Sequence, residues 1–297
     1  MEEIIYKYLL ESFSGENLLA EYVDKPAVFD TQAPNDMDEN WNDAQYPRCI
    51  YQLDMQANPE RKVSGQLYID VMCENEISSV QPEELEALVK SAVDGCFFSN
   101  HDLTISAQWQ SSNPFAEKDN KLSGFTLVFD IMAYPIQTTE SPDPILATNL
   151  WLKTIYQNAY VIGYDTLPET WKPTDENPAL YCRLSKLGTS GRLKSSAAVT
   201  WIGADMQVYV MAPSEVIRSR INKSIIQLLI NADKLILDDK SPMLIDSVSD
   251  NMAADPLREG QIQIKATYGV LNDYTGTPLK HANIVGLGAE SEVHDGN

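Results

Sequence analysis

The chain is short of the residues from which most catalytic centres are built. Histidine is nearly absent: His101, His281 and His294 are the three in 297 residues. They are scattered, so a histidine base or a metal site is hard to assemble from them. Cysteine is scarce as well. Cys49, Cys73, Cys96 and Cys182 have no close spacing and three fall in apolar runs, so they read as buried thiols in a reducing compartment. Cys73 and Cys96 sit in apolar runs, beside Tyr68–Met72 and within Val93–Phe98, which favours an inert thiol over a nucleophile. A P-loop, a Gly-x-Gly-x-x-Gly turn, a His-Glu-x-x-His helix and a Gly-x-Ser-x-Gly elbow are all missing.

Positive charge is the next shortage. Lys and Arg total 22 against 43 Asp and Glu, a net charge of −21. Free-standing affinity for nucleic acid or for anionic membranes needs a basic patch, and this balance argues against both. No apolar run approaches the roughly 18–20 residues of a membrane span. The start, Met1-Glu2-Glu3-Ile4, lacks the basic opening of a signal peptide. The expectation is an acidic soluble protein made in the cytoplasm, with no catalytic, cofactor-binding or metal site. A paired-carboxylate hydrolase is the enzymatic alternative, but 43 acids make coincidental pairs certain.

What the chain does contain is a globular composition, 43% apolar and 22% charged, and a length that suits two domains. It also contains a repeat. Gln81-Pro82-Glu83-Glu84 and Ala212-Pro213-Ser214-Glu215 both read as helix starts, with Pro at the first helical position and acid after it. Their prolines are 213 − 82 = 131 residues apart, and Pro47 and Pro178 before two apolar runs share that offset, 178 − 47 = 131. Element order then matches. Helical spacing predicts opening helices over residues 2–13 and 144–157. Small strands follow at 26–29 and 159–162, then a polar loop. Hairpins pair 49–55 with 66–73 and 180–187 with 197–211. A second helix follows each, and two strands close each unit: 104–109 with 125–134, and 243–248 with 261–270. The fold class expected is α+β: two tandem domains, each an antiparallel sheet with two helices on one face, in the order α-β-β-β-α-β-β. The domains would be 1–135 and 144–272, joined by a short proline-containing linker, with a C-terminal extension at 273–297.

Two charged features are candidate interface. Residues 24–43 hold Asp24, Asp30, Asp36, Asp38, Glu39 and Asp43 against Lys25 alone, with Trp41 inside the run. An exposed aromatic among acids would anchor a partner. The second-unit helix carries Arg218, Arg220 and Lys223, the densest basic patch of the chain. Opposite fields steer association, so this patch could dock the acidic face of a neighbouring subunit. The bland reading of both is a solvated face.

The pattern resembles a phage tail terminator, or tail completion, domain. The residues that carry the likeness are Pro26-Ala27-Val28-Phe29, Gln32-Ala33-Pro34, Tyr46-Pro47-Arg48-Cys49-Ile50-Tyr51 and Gly65-Gln66-Leu67-Tyr68-Ile69-Asp70-Val71, with a Glu-rich helix from Pro82 and a long last strand. The first unit matches over most of its length and the second in element order. The resemblance implies a structural virion protein: a ring at the head-proximal end of the tail that ends tube polymerisation and joins the tail to the head. Its implied partners are copies of itself, the tail tube protein and the head–tail connector proteins, with DNA passing through the lumen unbound. Family rings are six-fold. Six copies using one domain are favoured, and three copies using both are the other arrangement. Another neck protein and a cytoplasmic adaptor are the competing binding functions.

Overall fold

The computed structural model describes residues 1–14, 18–56, 63–75, 78, 80–117, 121–137 and 140–272; the expected extension at 273–297 lies outside the described residues. In chain order the elements are α1 (Glu2–Phe13), β1 (Glu21–Tyr22), β2 (Lys25–Pro26), β3 (Val28–Asp30), β4 (Arg48–Met55), β5 (Gly65–Glu74), α2 (Pro82–Val93), β6 (Phe97–Ser99), β7 (Leu103–Glu117) and β8 (Leu122–Pro135). There follow α3 (Pro144–Ile155), β9 (Tyr160–Ile162), β10 (Thr170–Trp171), β11 (Ala179–Thr189), β12 (Val199–Met211), α4 (Glu215–Ala232), β13 (Lys234–Ile236), β14 (Pro242–Asp250) and β15 (Ile262–Leu271). The protein is α+β, with four helices and mixed sheets among the described residues. No helix among them is long and apolar enough to cross a membrane.

The first large sheet runs β10-β6-β7-β8-β5-β4-β3 and the second β13-β14-β15-β12-β11-β9. With β10 set aside the two orders correspond strand for strand. Both sheets are mixed, which corrects the expectation of purely antiparallel ones. The parallel pairs are β3 with β4 and β9 with β11. The physical reason lies in the connections. A parallel neighbour needs a long return path, and residues 31–47 and 163–178 supply one in each half.

Alternation builds the cores. Leu67, Ile69, Val71 and Cys73 of β5 and Leu127, Phe129 and Ile131 of β8 face Ile5, Leu9 and Phe13 of α1 and Leu85, Val89 and Val93 of α2. In the second half Val208 and Val210 of β12 and Ile262, Ile264 and Tyr268 of β15 meet Ile145 and Leu152 of α3 and Ile221, Ile225 and Leu229 of α4. Each such side chain contributes about 1.5–3 kcal/mol on burial, far more than any helix propensity. The helix starts differ in detail from expectation. Pro82 does sit in the first turn of α2. Pro213 instead precedes the cap of α4, which is Ser214, whose hydroxyl accepts from Ile217 N at 3.4 Å.

Candidate interaction surface

The strand that breaks the correspondence between the sheets is β10. It comes from the second half and pairs antiparallel with β6 at the edge of the first sheet, Thr170 opposite Phe98 and Trp171 opposite Phe97. Ser99 N donates to Glu169 O at 2.8 Å. Two residues make a poor strand by themselves, and this one is held by its side chain. The Trp171 indole is buried, stacks on Phe97 at 4.6 Å between ring centroids, and touches Tyr160 at 4.7 Å. Its Nε1 donates to Ser99 Oγ at 3.1 Å. Lys172 Nζ then donates to Ser91 O at 2.7 Å and Asp94 O at 2.8 Å, placing a cation at the C-terminal end of α2, where the helix dipole favours it.

Beneath β10 lies an aromatic junction. Phe97, Met132 and Tyr134 of the first half meet Ile162, Trp171, Tyr181, Tyr209 and Met211 of the second. The Tyr134 ring lies 5.3 Å from Tyr181 and 6.2 Å from Tyr209, both edge-on, the geometry aromatic quadrupoles prefer. Its hydroxyl donates to Leu257 O at 2.9 Å, and burial pushes its ionisation well above the ordinary tyrosine range. Tyr181 OH donates to Pro135 O at 2.9 Å. Arg258 reaches from the connection between β14 and β15 to Asp130 of β8, Nη2 to Oδ2 at 2.7 Å, and to Gln108 Oε1 at 3.3 Å. Asp130 is buried and Arg258 half-buried, so this is a partly desolvated ion pair between the halves.

The residues singled out from sequence fall elsewhere, and two were misread. Trp41 is not an exposed anchor. It is buried against Ala20, Ala27, Tyr22 and Phe29, and its Nε1 donates to Asn35 O at 3.1 Å. The acids around it set its loop rather than surround a free ring. Asp36 pairs with Arg48 at 2.6 Å, and Asp38 Oδ1 accepts from Asn40 N at 2.9 Å. Glu39 and Asp43 are exposed. In the basic patch, Arg220 and Lys223 are exposed and line an open groove of about 790 Å³ on α4 with Val216 and Gln227. Arg218 is not part of the free patch. Its Nη1 donates to Ala212 O and Pro213 O, closing the start of α4. No ion pair among the described residues joins the acidic loop to the basic patch.

No protein-family model and no curated protein sequence matches this chain.

No group of three or more His, Cys, Asp or Glu among the described residues could hold a metal ion. His281 and His294 lie outside the described residues. His101 lines a groove of about 500 Å³ beside the junction with Ser99, Asp165 and Glu169. Asp165 in that groove already accepts from Lys153 Nζ and Val161 N, both at 2.8 Å. All four cysteines are free and buried. Burial raises each thiol pKa, to about 11 for Cys73 and about 12 for Cys182. A thiolate is the reactive form, so all four should resist Ellman's reagent in the native protein and react together after unfolding. Fast labelling of one cysteine in native conditions would contradict this burial.

Proposed function

We propose that the chain is a tandem of two tail-terminator-like units and serves as a structural ring component at the head-proximal end of a phage tail. The resemblance in the first unit supplies the family. The observation that carries the reading is the contact between the halves: the second half extends the first sheet by a strand and covers its outer face with aromatic side chains. That contact is heterologous, one unit's loop on another unit's edge, and such contacts build rings when the rotation closes. The strand-for-strand correspondence of the two sheets supports the duplication, with units at 1–135 and 144–272. Because both units take part in the contact, three copies supplying two positions each are favoured over six copies using one unit. The linker keeps the intramolecular contact at high effective concentration.

The test is the assembled mass, by sedimentation or mass photometry, with negative-stain images. A closed ring of three copies is expected. A ring of six keeps the function and moves one unit to the outside. A chain that stays monomeric as its concentration rises, and that leaves no ring on the grid, defeats the reading. The lumen function adds a second expectation. With a net charge of −21 the protein should show negligible affinity for free duplex DNA even at about 50 mM salt, where phosphate contacts are strongest. Micromolar retention of duplex DNA at that salt would contradict an acidic channel wall.

A further inference from the structure

This inference deepens the ring reading and rests on it. It begins from a second repeat. Leu167-Pro168-Glu169-Thr170-Trp171 and Met37-Asp38-Glu39-Asn40-Trp41 share the pattern apolar-x-Glu-x-Trp, 171 − 41 = 130 residues apart. Both segments lie in the connection that leaves the parallel edge strand, β9 in one half and β3 in the other. Both tryptophans rest on their own edge strand, Trp171 on Tyr160 at 4.7 Å and Trp41 on Phe29 at 5.6 Å. They differ in the apolar residue four positions earlier. Leu167 packs into the junction with the first half. Met37 is 93% exposed.

The receiving side is also present twice. Ala107 N donates to Cys96 O, and Ile245 N donates to Asp233 O. Each follows a helix, and Gly95 and Asp233 both turn the chain through positive φ, at 70° and 57°. The registers Phe98 to Ile105 and Leu235 to Met243 then align the strands, so Phe97 matches Lys234 and Ser99 matches Ile236. Alternate residues of an antiparallel strand turn their N–H and C=O to opposite edges. On β6 the outward residue Ser99 meets Glu169 of the second half. On β13 the outward residues are Lys234 and Ile236, and among the described residues β13 has β14 as its one neighbour in the sheet. Helix α3 runs beside β13. Its Leu146 and Leu150, one turn apart, are 41% and 49% exposed, and Ile236 is 55% exposed. In the first half Ile4 of α1 and Ser99 of β6 line a groove shared with residues 163–169.

We infer that a second copy of this chain fills the open edge: residues 37–42 of one copy add to β13 of the next. Met37 enters the strip formed by Leu146, Leu150 and Ile236. Glu39 O accepts from Ile236 N as Glu169 O accepts from Ser99 N. Two hydrogen bonds hold the loop to its own half, Val23 N to Asn40 O at 3.1 Å and Asn42 N to Glu21 O at 3.2 Å; they use residues 40 and 42, the alternate set to Glu39, and so are kept. Among the described residues each chain thus carries one outward loop end at Met37 and one unpaired sheet edge at β13, the complementary ends of a head-to-tail contact.

The test is a disulfide between copies. The double variant E39C/I236C is expected to give linked dimers and higher species under mild oxidation, and E39C or I236C alone none. The native thiols are buried and do not compete. A second variant, M37D, changes a residue that is 93% exposed, so the fold should be kept by circular dichroism. It should weaken association about tenfold or more by placing a charge in an apolar strip. Association that shows neither the cross-link nor the M37D effect overturns this interface and leaves the ring reading standing. Linked open chains with no closed ring keep the interface and overturn the ring reading. A protein that never associates overturns both.

Discussion

Trp171→Ala is expected to cost about 3–5 kcal/mol of stability and to split one unfolding transition into two. The residue belongs to the second half and two of its three partners, Phe97 and Ser99, to the first, so its loss falls mainly on the coupling between the cores. Three things go at once: the stack on Phe97, the contact with Tyr160 and the bond to Ser99 Oγ. Trp171→Phe separates them. It keeps a ring against Phe97 and loses the N–H, and should cost about 1–2 kcal/mol, because Ser99 Oγ retains Thr104 Oγ1 at 3.1 Å. Urea unfolding followed by far-ultraviolet circular dichroism measures both. A single transition with a loss below about 1 kcal/mol in Trp171→Ala would mean that β10 is an ornament on two independently stable halves.

Arg258→Met is expected to be comparably severe, at about 3–5 kcal/mol, since it leaves the buried Asp130 carboxylate without its cation. The methionine keeps an unbranched apolar stem and drops the guanidinium, so the loss reports the charged group more than the stem. Adding Asp130→Asn should restore most of the stability, because a neutral amide can bond Gln66 or Gln108 without a counter-ion. The double variant is the decisive measurement. If Asp130→Asn does not recover the loss, the effect came from the packing of the arginine stem and not from the desolvated charge.

The long elements of this fold were legible because their signals are long. α1 shows Ile5, Leu9 and Phe13 on one stripe, and β8 alternates Leu127, Phe129 and Ile131 inward over a whole strand. The short elements were not. β6 is Phe97-Phe98-Ser99, and three apolar or small residues after a helix carry no period. β10 is two residues long, and its hydrogen bonds come from a sheet that begins more than seventy positions earlier. Strand direction is equally silent, since alternation reads the same for the parallel pair β3–β4 as for a hairpin. Trp41 was misjudged because acidic neighbours suggest water, whereas the aromatic shell that buries it comes from Tyr22 and Phe29, separated from it by a loop. The junction itself had one sequence trace, the apolar-x-Glu-x-Trp pair. Its spacing of 130 differs by one residue from the 131 of the prolines, which hides it from a search at a single offset.

The borrowed strand also has a consequence in time. The first half is translated complete to β8 while the edge of β6 and the face bearing Phe97, Met132 and Tyr134 wait for residues near Trp171. From Pro135, the end of β8, to Trp171 is 171 − 135 = 36 residues, so at about 5–20 residues per second the wait is on the order of 2–7 seconds. During that interval neighbouring nascent chains on one messenger present each other with an open strand edge and an apolar ring surface, the combination that drives domain swapping. Slow translation through the linker would lengthen the exposure and raise the yield of swapped oligomers. Fast translation there would favour the intramolecular closure seen in the finished protein.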